Sequence, residues 1–217
     1  MTQDAKRSHP KVKVCGLGRY EDAAVALDHG AWALGFIFHP PSKRNVALDE
    51  VRDIVQRLPS SALTVGVFVN VPLADIVGTV RATGLRGVQL HGDESPAFVE
   101  EVRVATGVDC IIKALRVGSD FDPAVVDDFS SYTVLLDTYH DKLAGGTGES
   151  FDWSQARKVG ERTPVLVAGG LHPGNVAEAL AIARPDGVDV SGGLESAPGV
   201  KDHAQIRRFF EAVRGAT

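Results

Sequence analysis

Three glycine-bearing segments in the last third of this 217-residue sequence could bind an anionic group such as phosphate. Glycine lets backbone N–H groups approach an anion closely, and a helix that begins after the loop adds its partial positive charge. A single glycine pair often only closes a turn, but three such segments together predict a phosphate site. The residues concerned are Gly145, Gly146 and Gly148, then Gly169 and Gly170, then Ser191 and Gly192.

Charged and polar side chains also lie at or near the ends of short apolar runs. In residues 12–15, alternation puts Lys13 and Cys15 on one face of a strand and the two valines on the other. If the valines meet the helices, Lys13 lies in the interior and needs a countercharge, for which Asp189 and Asp137 are available. A purely structural ion pair is the alternative interpretation of Lys13 with Asp189.

Three more runs carry polar residues at the same alternating positions. Gln89 and His91 share one face of their run, and Asp137 ends the run at residues 134–137 and opens a loop. Asp189 and Ser191 share a face in the same way. These positions predict a polar cluster near one rim of the fold, with Asp137 placed as a working carboxylate.

The elements that must position these groups alternate between short apolar runs and longer segments of helical period. About eight such units follow one another from Lys11 without a linker. Two helical stripes are clear, at residues 176–183 and 206–213, and residues 122–129 have little apolar length for the fifth helix. The predicted strands are residues 12–15, 33–38, 63–69, 87–90, 110–114, 134–137, 165–168 and 188–190.

Strand–helix alternation fits either a closed barrel or an open doubly wound sheet. The dinucleotide motif GxGxxG begins at Gly16 and Gly18 but has Glu21 at its third glycine, and no GxxxxGK[ST] loop occurs. We therefore expect an α/β fold, a single (β/α)8 TIM barrel at residues 11–217 with a flexible N-terminal extension at residues 1–10. Functional groups of this fold lie at the C-terminal ends of the strands, and phosphate binds after strands seven and eight.

Composition narrows the class of partner. The net charge of −5 provides no general attraction for nucleic acid or an anionic membrane, so we expect neither as a partner. No signal-peptide pattern and no long apolar stretch occurs, and Cys15 and Cys110 lack metal-site or disulfide spacing. We expect a cytoplasmic protein that binds a small phosphorylated molecule, with the choice between monomer and homodimer left open.

Nine segments resemble the phosphoribosylanthranilate isomerase family, and the likeness runs from Lys11 to the last helix. They are KVCGL at residues 13–17, GFIFHPPSKR at 35–44, VGVFVN at 65–70, VQLHGDE at 88–94, LLDT at 135–138, GGTGESFDW at 145–153, AGGL at 168–171, DVSGGLE at 189–195 and PGVKD at 198–202. The resemblance implies an isomerase of tryptophan biosynthesis. Its reaction is the Amadori rearrangement of N-(5-phosphoribosyl)anthranilate to 1-(2-carboxyphenylamino)-1-deoxyribulose 5-phosphate, without metal or organic cofactor.

The resemblance also implies roles for single residues. Cys15 is the general base on the sugar C2 proton, and Asp137 is the general acid on the ring oxygen. Arg44 binds the anthranilate carboxylate and Asp189 lies near the substrate amine, while the glycine segments bind phosphate. Lys13 and His91 complete the substrate site, with a supporting role for His91 ahead of direct catalysis.

These roles require shifted pKa values, because a free thiol titrates at about 8.5 and a free Asp at about 3.9. We expect Lys13 to lower the pKa of Cys15, and desolvation beside Asp189 to raise the pKa of Asp137.

Two positions depart from the family pattern: Gly18 stands where Thr is usual, and Gly192 where Ser is usual. Each departure removes a hydroxyl group, which could weaken phosphate binding.

Two other functions are compatible with this rim. A sister isomerase of histidine biosynthesis, or a dual-specificity enzyme, would have Asp in place of Cys15. A non-catalytic phosphosugar-binding barrel would have no need of Cys15 and Asp137 together.

Overall fold

Eight short apolar segments form the strands of a closed parallel barrel in the computed structural model, which describes residues 9–118, 121–137 and 153–216. The strands follow one another around the barrel in chain order, and β1 pairs with β8 to close it. The predicted (β/α)8 barrel is confirmed, with each predicted strand within two residues of its position. The strands are β1 (Lys11–Val14), β2 (Ala33–Ile37), β3 (Thr64–Phe68), β4 (Gly87–Leu90), β5 (Cys110–Arg116), β6 (Thr133–Asp137), β7 (Val165–Ala168) and β8 (Gly187–Val190).

Helices connect the strands and cover the outside of the barrel. Both predicted helical stripes are buried, residues 176–183 through Val176, Ala179, Leu180 and Ala183, and residues 206–213 through Ile206, Phe209, Phe210 and Val213. The α-helices are α1 (Tyr20–Asp28), α2 (Leu48–Arg57), α3 (Leu73–Thr83), α4 (Pro96–Thr106), α5 (Ser154–Gly160), α6 (Val176–Ala183) and α7 (His203–Gly215). None of the described helices is long and apolar enough to cross a membrane.

The connection between β5 and β6 differs from the rest. A 3₁₀ helix at Pro123–Phe129 stands where the sequence predicts the fifth helix. Only Val126 and Phe129 are buried in it, and their spacing of three residues matches the three-residue turn of a 3₁₀ helix. A segment with so little apolar surface lacks the stripe that would hold a longer α-helix against the barrel.

A small hairpin follows β8 and belongs to the rim. A 3₁₀ turn at Gly192–Leu194 leads into β9 (Glu195–Ala197), which pairs antiparallel with β10 (Val200–Lys201). Asp202 then caps α7 by accepting hydrogen bonds from the backbone N–H groups of Ala204 and Gln205. The predicted domain boundary at residue 10 stays a prediction, because residues 1–8 lie outside the described residues.

The barrel interior holds both apolar and polar side chains. Val12 and Val14 pack in the cluster shared with the helices, so Lys13 and Cys15 take the inner face, as alternation predicts. Seven buried side chains form an apolar cluster of their own, namely Ala33, Val65, Ile112, Ala114, Leu135, Leu166 and Ala168. Lys13, Gln89 and Asp189 are buried as well, whereas His91 and Asp137 are partly exposed.

Candidate active site at the C-terminal rim of the barrel

A cleft of about 540 Å³ opens at the C-terminal ends of β1, β6, β7 and β8. This is the rim where barrel enzymes carry their functional groups. The cleft brings together eight of the predicted site residues, which lie far apart in the chain. They are Cys15, Arg44, Asp137, Gly169, Gly170, Asp189, Ser191 and Gly192.

Lys13 lies beneath the cleft and pairs with Asp189. Its Nζ donates to Asp189 Oδ1 at 3.0 Å, and the lysine side chain has no exposed surface. Burial acts to lower the pKa of Lys13, but attraction to Asp189 and to the Cys15 thiolate outweighs it and raises that pKa. Lys13 is thus a permanent cation, and Asp189 is its countercharge.

Cys15 is buried at the end of β1, with 5% of its surface exposed. Burial is the largest influence and raises the pKa of its thiol; Lys13 lowers this pKa, and the negative charge of Asp189 raises it again. The expected net lowering by Lys13 is therefore wrong. The cation acts in the predicted direction, but desolvation of the thiolate is larger.

Gly35 on β2 makes room for both groups, a role that the sequence analysis missed. A Cβ at Gly35 would lie 2.8 Å from Cys15 Sγ and 3.0 Å from Lys13 Nζ. A glycine within a strand often marks such a close approach, so the GFIF segment carried a usable signal. Any larger residue here would displace the thiol or the amine.

Asp137 ends β6, and a histidine contacts its carboxylate. His91 Nε2 lies 3.0 Å from Asp137 Oδ2, and Gln89 Nε2 lies 2.8 Å from His91 Nδ1. Asp137 and His91 are each about one-fifth to one-quarter exposed, so the carboxyl group borders the cleft. The supporting role expected for His91 and the raised pKa expected for Asp137 both stay predictions.

The loop that begins at His91 is held by a buried ion pair that the sequence analysis did not identify. Lys113 Nζ donates to Glu94 Oε2 at 2.8 Å and to the backbone oxygen of Gly92 at 2.6 Å. Glu94 also accepts two hydrogen bonds from the backbone. The N–H of Asn70 donates to Oε1 and the N–H of Gly92 to Oε2, each at 2.9 Å. These contacts join the ends of β3, β4 and β5 and fix the loop.

Arg44 presents its planar fork to a protein carboxylate at the edge of the cleft. Its Nε and Nη2 donate to the two oxygens of Glu195, each at 2.7 Å. Lys201 Nζ donates to Glu195 Oε1 at 2.9 Å and to the backbone oxygen of Ser191 at 3.1 Å. Glu195 and Lys201 lie in segments that the sequence analysis quoted, but it gave neither residue a role.

The pKa values of Glu195 and Lys201 are both lowered, but for different reasons. Burial acts to raise the pKa of Glu195, but the hydrogen bonds from Arg44 and Lys201 outweigh it and lower that pKa. For Lys201, burial lowers the pKa, and the attraction of Glu195 offsets only part of this lowering. Glu195 is therefore ionised at neutral pH.

Gly169, Gly170 and Gly193 have backbone conformations or contacts that exclude side chains. Gly169 and Gly170 have φ angles of +96° and +64°, and a Cβ at Gly193 would lie 1.9 Å from the backbone oxygen of Leu171. The hydroxyl group of Ser191 is buried and has no hydrogen-bond partner among the described residues. Gly145, Gly146 and Gly148 lie outside the described residues.

The two departures from the family pattern differ in their surroundings. A Cβ at Gly18 would lie at ordinary contact distance, 3.4 Å, from Val46 Cγ1. A Cβ at Gly192 would lie only 3.1 Å from Arg44 Nη2. Gly192 thus gives Arg44 room to hold its fork against Glu195.

No group of three or more His, Cys, Asp or Glu side chains within residues 9–118, 121–137 and 153–216 is arranged to hold a metal ion. The rim brings together a thiol, a carboxyl group and five nearby charged side chains, namely Lys13, Asp189, Arg44, Glu195 and Lys201. Such a set can move protons on a bound anionic molecule.

Comparison with known proteins gives one family. Residues 12–212 match the family model described as N-(5'-phosphoribosyl)anthranilate isomerase. The enzyme of that name from Pseudomonas fluorescens (strain Pf0-1) is 46% identical over 204 residues, which cover 93% of this chain and 97% of the relative. The enzyme from Geobacter sulfurreducens is 44% identical over 208 residues, covering 94% and 98%.

Solved structures agree with the sequence comparisons. Phosphoribosyl anthranilate isomerase from Thermotoga maritima superimposes with a TM-score of 0.86 at 37% identity, covering 95% of this chain and 99% of its own. A structure of such an isomerase in complex with reduced 1-(o-carboxyphenylamino)-1-deoxyribulose 5-phosphate superimposes with a TM-score of 0.84 at 35% identity and the same coverage.

Proposed function

The chain belongs to the N-(5'-phosphoribosyl)anthranilate isomerase family, and we propose that Cys15 and Asp137 are the base and the acid of its reaction. It is an isomerase of tryptophan biosynthesis that converts N-(5-phosphoribosyl)anthranilate into 1-(2-carboxyphenylamino)-1-deoxyribulose 5-phosphate. The observation that carries the proposal is that a thiol and a carboxyl group from β1 and β6 border one cleft of substrate size.

In the first step, the protonated carboxyl group of Asp137 gives its proton to the ring oxygen of the ribose. The bond between that oxygen and C1 breaks, and the lone pair of the anthranilate nitrogen forms a C=N bond with C1. Asp137 is left as a carboxylate. The hydrogen bond between His91 Nε2 and Asp137 Oδ2 supports this proposal, because it stabilises the charge that the step leaves behind.

In the second step, Cys15 removes the proton on C2 as a thiolate. The electron pair of the C–H bond forms a C1=C2 double bond, and the electrons of the C=N bond return to nitrogen. The enol that results becomes the ketone by moving a proton from O2 to C1. One proton has entered the substrate at the ring oxygen and one has left at C2, so the reaction is an isomerisation.

The raised pKa of Cys15 suits a base that acts only when substrate is bound. At neutral pH most of the thiol is protonated in the empty cleft, because burial makes the thiolate costly. Lys13 favours the thiolate, and the positive charge of the iminium formed in the first step would favour it further. The thiolate that forms is a stronger base than one of ordinary pKa.

The remaining groups account for binding. Arg44 lies at one edge of the cleft, where its guanidinium group can hold the anthranilate carboxylate. Asp189 lines the cleft and can accept a hydrogen bond from the substrate amine. The phosphate group binds at the N–H groups of residues 169–170 and 191–193, in the place that barrels of this class use. We further propose a cytoplasmic location and no nucleic-acid partner.

The test of these roles follows the loss of substrate fluorescence with purified wild type, Cys15→Ala and Asp137→Asn. Positioned acids and bases contribute about 10²- to 10⁴-fold each, so each variant should lose activity within that range. Near-wild-type rates in both variants would overturn the assignment of acid and base, while an inactive wild-type enzyme would overturn the activity itself.

A further inference from the structure

Gln89, which the mechanism above does not use, is the innermost of three side chains that lead to the proposed acid. It lies on β4 with 1% of its surface exposed. Its Nε2 lies 2.8 Å from His91 Nδ1, and His91 Nε2 lies 3.0 Å from Asp137 Oδ2. The three residues form one hydrogen-bonded row from the barrel interior to the cleft.

The chemistry of the row gives each bond a direction. An ionised Asp137 can only accept, so His91 must carry a hydrogen on Nε2. The other nitrogen of a neutral ring, Nδ1, then has a lone pair and needs a donor. The amide N–H of Gln89 is that donor, and every position in the row is matched without a positive charge on the ring.

The surroundings of Gln89 offer its amide few other hydrogen-bond partners. Its register neighbours on the adjacent strands are apolar, Val67 on β3 and Ile112 on β5. Its Oε1 is buried and has no hydrogen-bond partner among the described residues. Burying an amide that is only half satisfied is unfavourable, so the contact with His91 is the interaction that this glutamine provides.

We propose that Gln89 is a positioning residue that keeps His91 neutral, with its hydrogen on Nε2. The inference rests on the proposed role of Asp137 as the acid. An amide N–H aimed at Nδ1 opposes protonation of that nitrogen. A neutral Nε2–H stabilises the carboxylate that forms when Asp137 gives up its proton. An imidazolium would instead hold Asp137 ionised from the start, so no proton would be available.

Gln89 thus acts on the reaction through His91, without touching the substrate. This assigns a function to the glutamine of the VQLHGDE segment, which resemblance to the family left without one.

Two substitutions separate this role from simple packing. Gln89→Glu replaces the donor by an acceptor of equal size, so Nδ1 should take up a proton and the ring should become an imidazolium. We expect kcat to fall between about 10-fold and 100-fold at pH 7.5, with a much smaller change in KM, because the loss is in acid catalysis. Gln89→Met keeps the length of the side chain without donor or acceptor, and should lose less activity than Gln89→Glu.

The direct readout is the nitrogen-15 spectrum of histidine-labelled protein, with the His91 signals identified by their loss in His91→Asn. Wild type should show Nδ1 unprotonated and Nε2 protonated at pH 7.5, and Gln89→Glu should show both protonated. The exposed Gln56 provides the control, since Gln56→Glu makes the same chemical change on α2 and should alter neither spectrum nor kcat.

The outcomes are distinct. A wild-type His91 with a protonated Nδ1 would overturn the proposal, even if Gln89→Glu failed to fold. A folded Gln89→Glu with the wild-type ring state or an unchanged kcat would also overturn it. If the wild-type protein lacked isomerase activity, the proposed function would fail while the spectrum still reported the tautomer.

Discussion

Lys13 and Asp189 form an ion pair inside the barrel, with Nζ and Oδ1 3.0 Å apart and the lysine fully buried. The pair joins β1 to β8 at the point where the barrel closes, since the two residues are direct register partners. The charge of Lys13 also acts on the thiol of Cys15. One contact therefore contributes both to closure of the fold and to the electrostatics of the proposed base.

Removing the lysine alone should leave a buried, uncompensated carboxylate. Lys13→Met should lower the free energy of unfolding by about 3–5 kcal/mol and reduce kcat, because a broken buried pair leaves its partner charge unpaired. Urea unfolding measures the change in the free energy of unfolding. The double variant Lys13→Met, Asp189→Leu should recover much of the stability but not the activity. A single variant as stable as wild type would show that the pair contributes nothing to closure.

The raised pKa of Cys15 should be visible in its chemistry. In a Cys110→Ala background, alkylation of Cys15 by iodoacetamide should be slow at pH 7 and should still be accelerating above pH 9, because only the thiolate reacts. The same protein with Cys15→Ala gives the background rate. A rate that levels off below pH 8 would mean that Lys13 outweighs burial after all.

The same shift should make stability depend on pH in the alkaline range. A thiol whose pKa is higher in the folded state contributes fully below the unfolded value of about 8.5, and this contribution is lost as pH rises towards the folded value. Thermal unfolding of wild type should therefore weaken more steeply between pH 8 and 10 than that of Cys15→Ala. If the melting temperatures of wild type and Cys15→Ala fell equally with pH, the result would argue against the burial of an ionisable thiol.

Glu195 should show the opposite pH dependence. Its lowered pKa means that its stabilising contribution is present above the unfolded value of about 4.3 and is lost as pH falls through the folded value. Glu195→Gln should cost about 1–3 kcal/mol at pH 7, and the difference from wild type should shrink as pH falls below about 4. Urea unfolding at several pH values measures it. Glu211→Gln, at an exposed position on α7, should show no comparable pH-dependent difference.

Phosphate binding at the rim can be tested without the substrate. Inorganic phosphate at about 10 mM should raise the melting temperature by a few degrees over sodium chloride of equal ionic strength, because a ligand that binds only the folded state stabilises it. Ser191→Ala removes the buried hydroxyl group and should reduce the rise. No rise in wild type would count against a formed phosphate site.

Much of the fold and of the site follows from local pattern. The strands could be predicted because each apolar run is bounded by turn residues, and the inner face followed from alternation, which placed Lys13, Cys15, Gln89 and His91 correctly. The weak fifth segment was recognised as such, but its short apolar face could not indicate that a 3₁₀ helix would form.

Contacts across the rim were harder to predict. Glu195 pairs with Arg44 across 151 positions of the chain, and Lys113 pairs with Glu94 between neighbouring strands. Nothing near either residue in the sequence indicates its partner, because the partner depends on loop paths and on which strands adjoin. The predicted contact of Arg44 with the anthranilate carboxylate stays a prediction, and in this structure Arg44 pairs with a carboxylate of the protein.

By itself, the sequence determined the barrel, the inward faces of β1, β4, β6 and β8, and the family, since these depend on residue periodicity and on motifs. The tertiary structure alone decided that Asp189 rather than Asp137 pairs with Lys13, because barrel closure sets the register of β1 against β8. The tertiary structure also decided that the pKa of Cys15 is raised rather than lowered. The charge of Lys13 can be read from the sequence, but the desolvation that outweighs it exists only once the barrel has closed around the thiol.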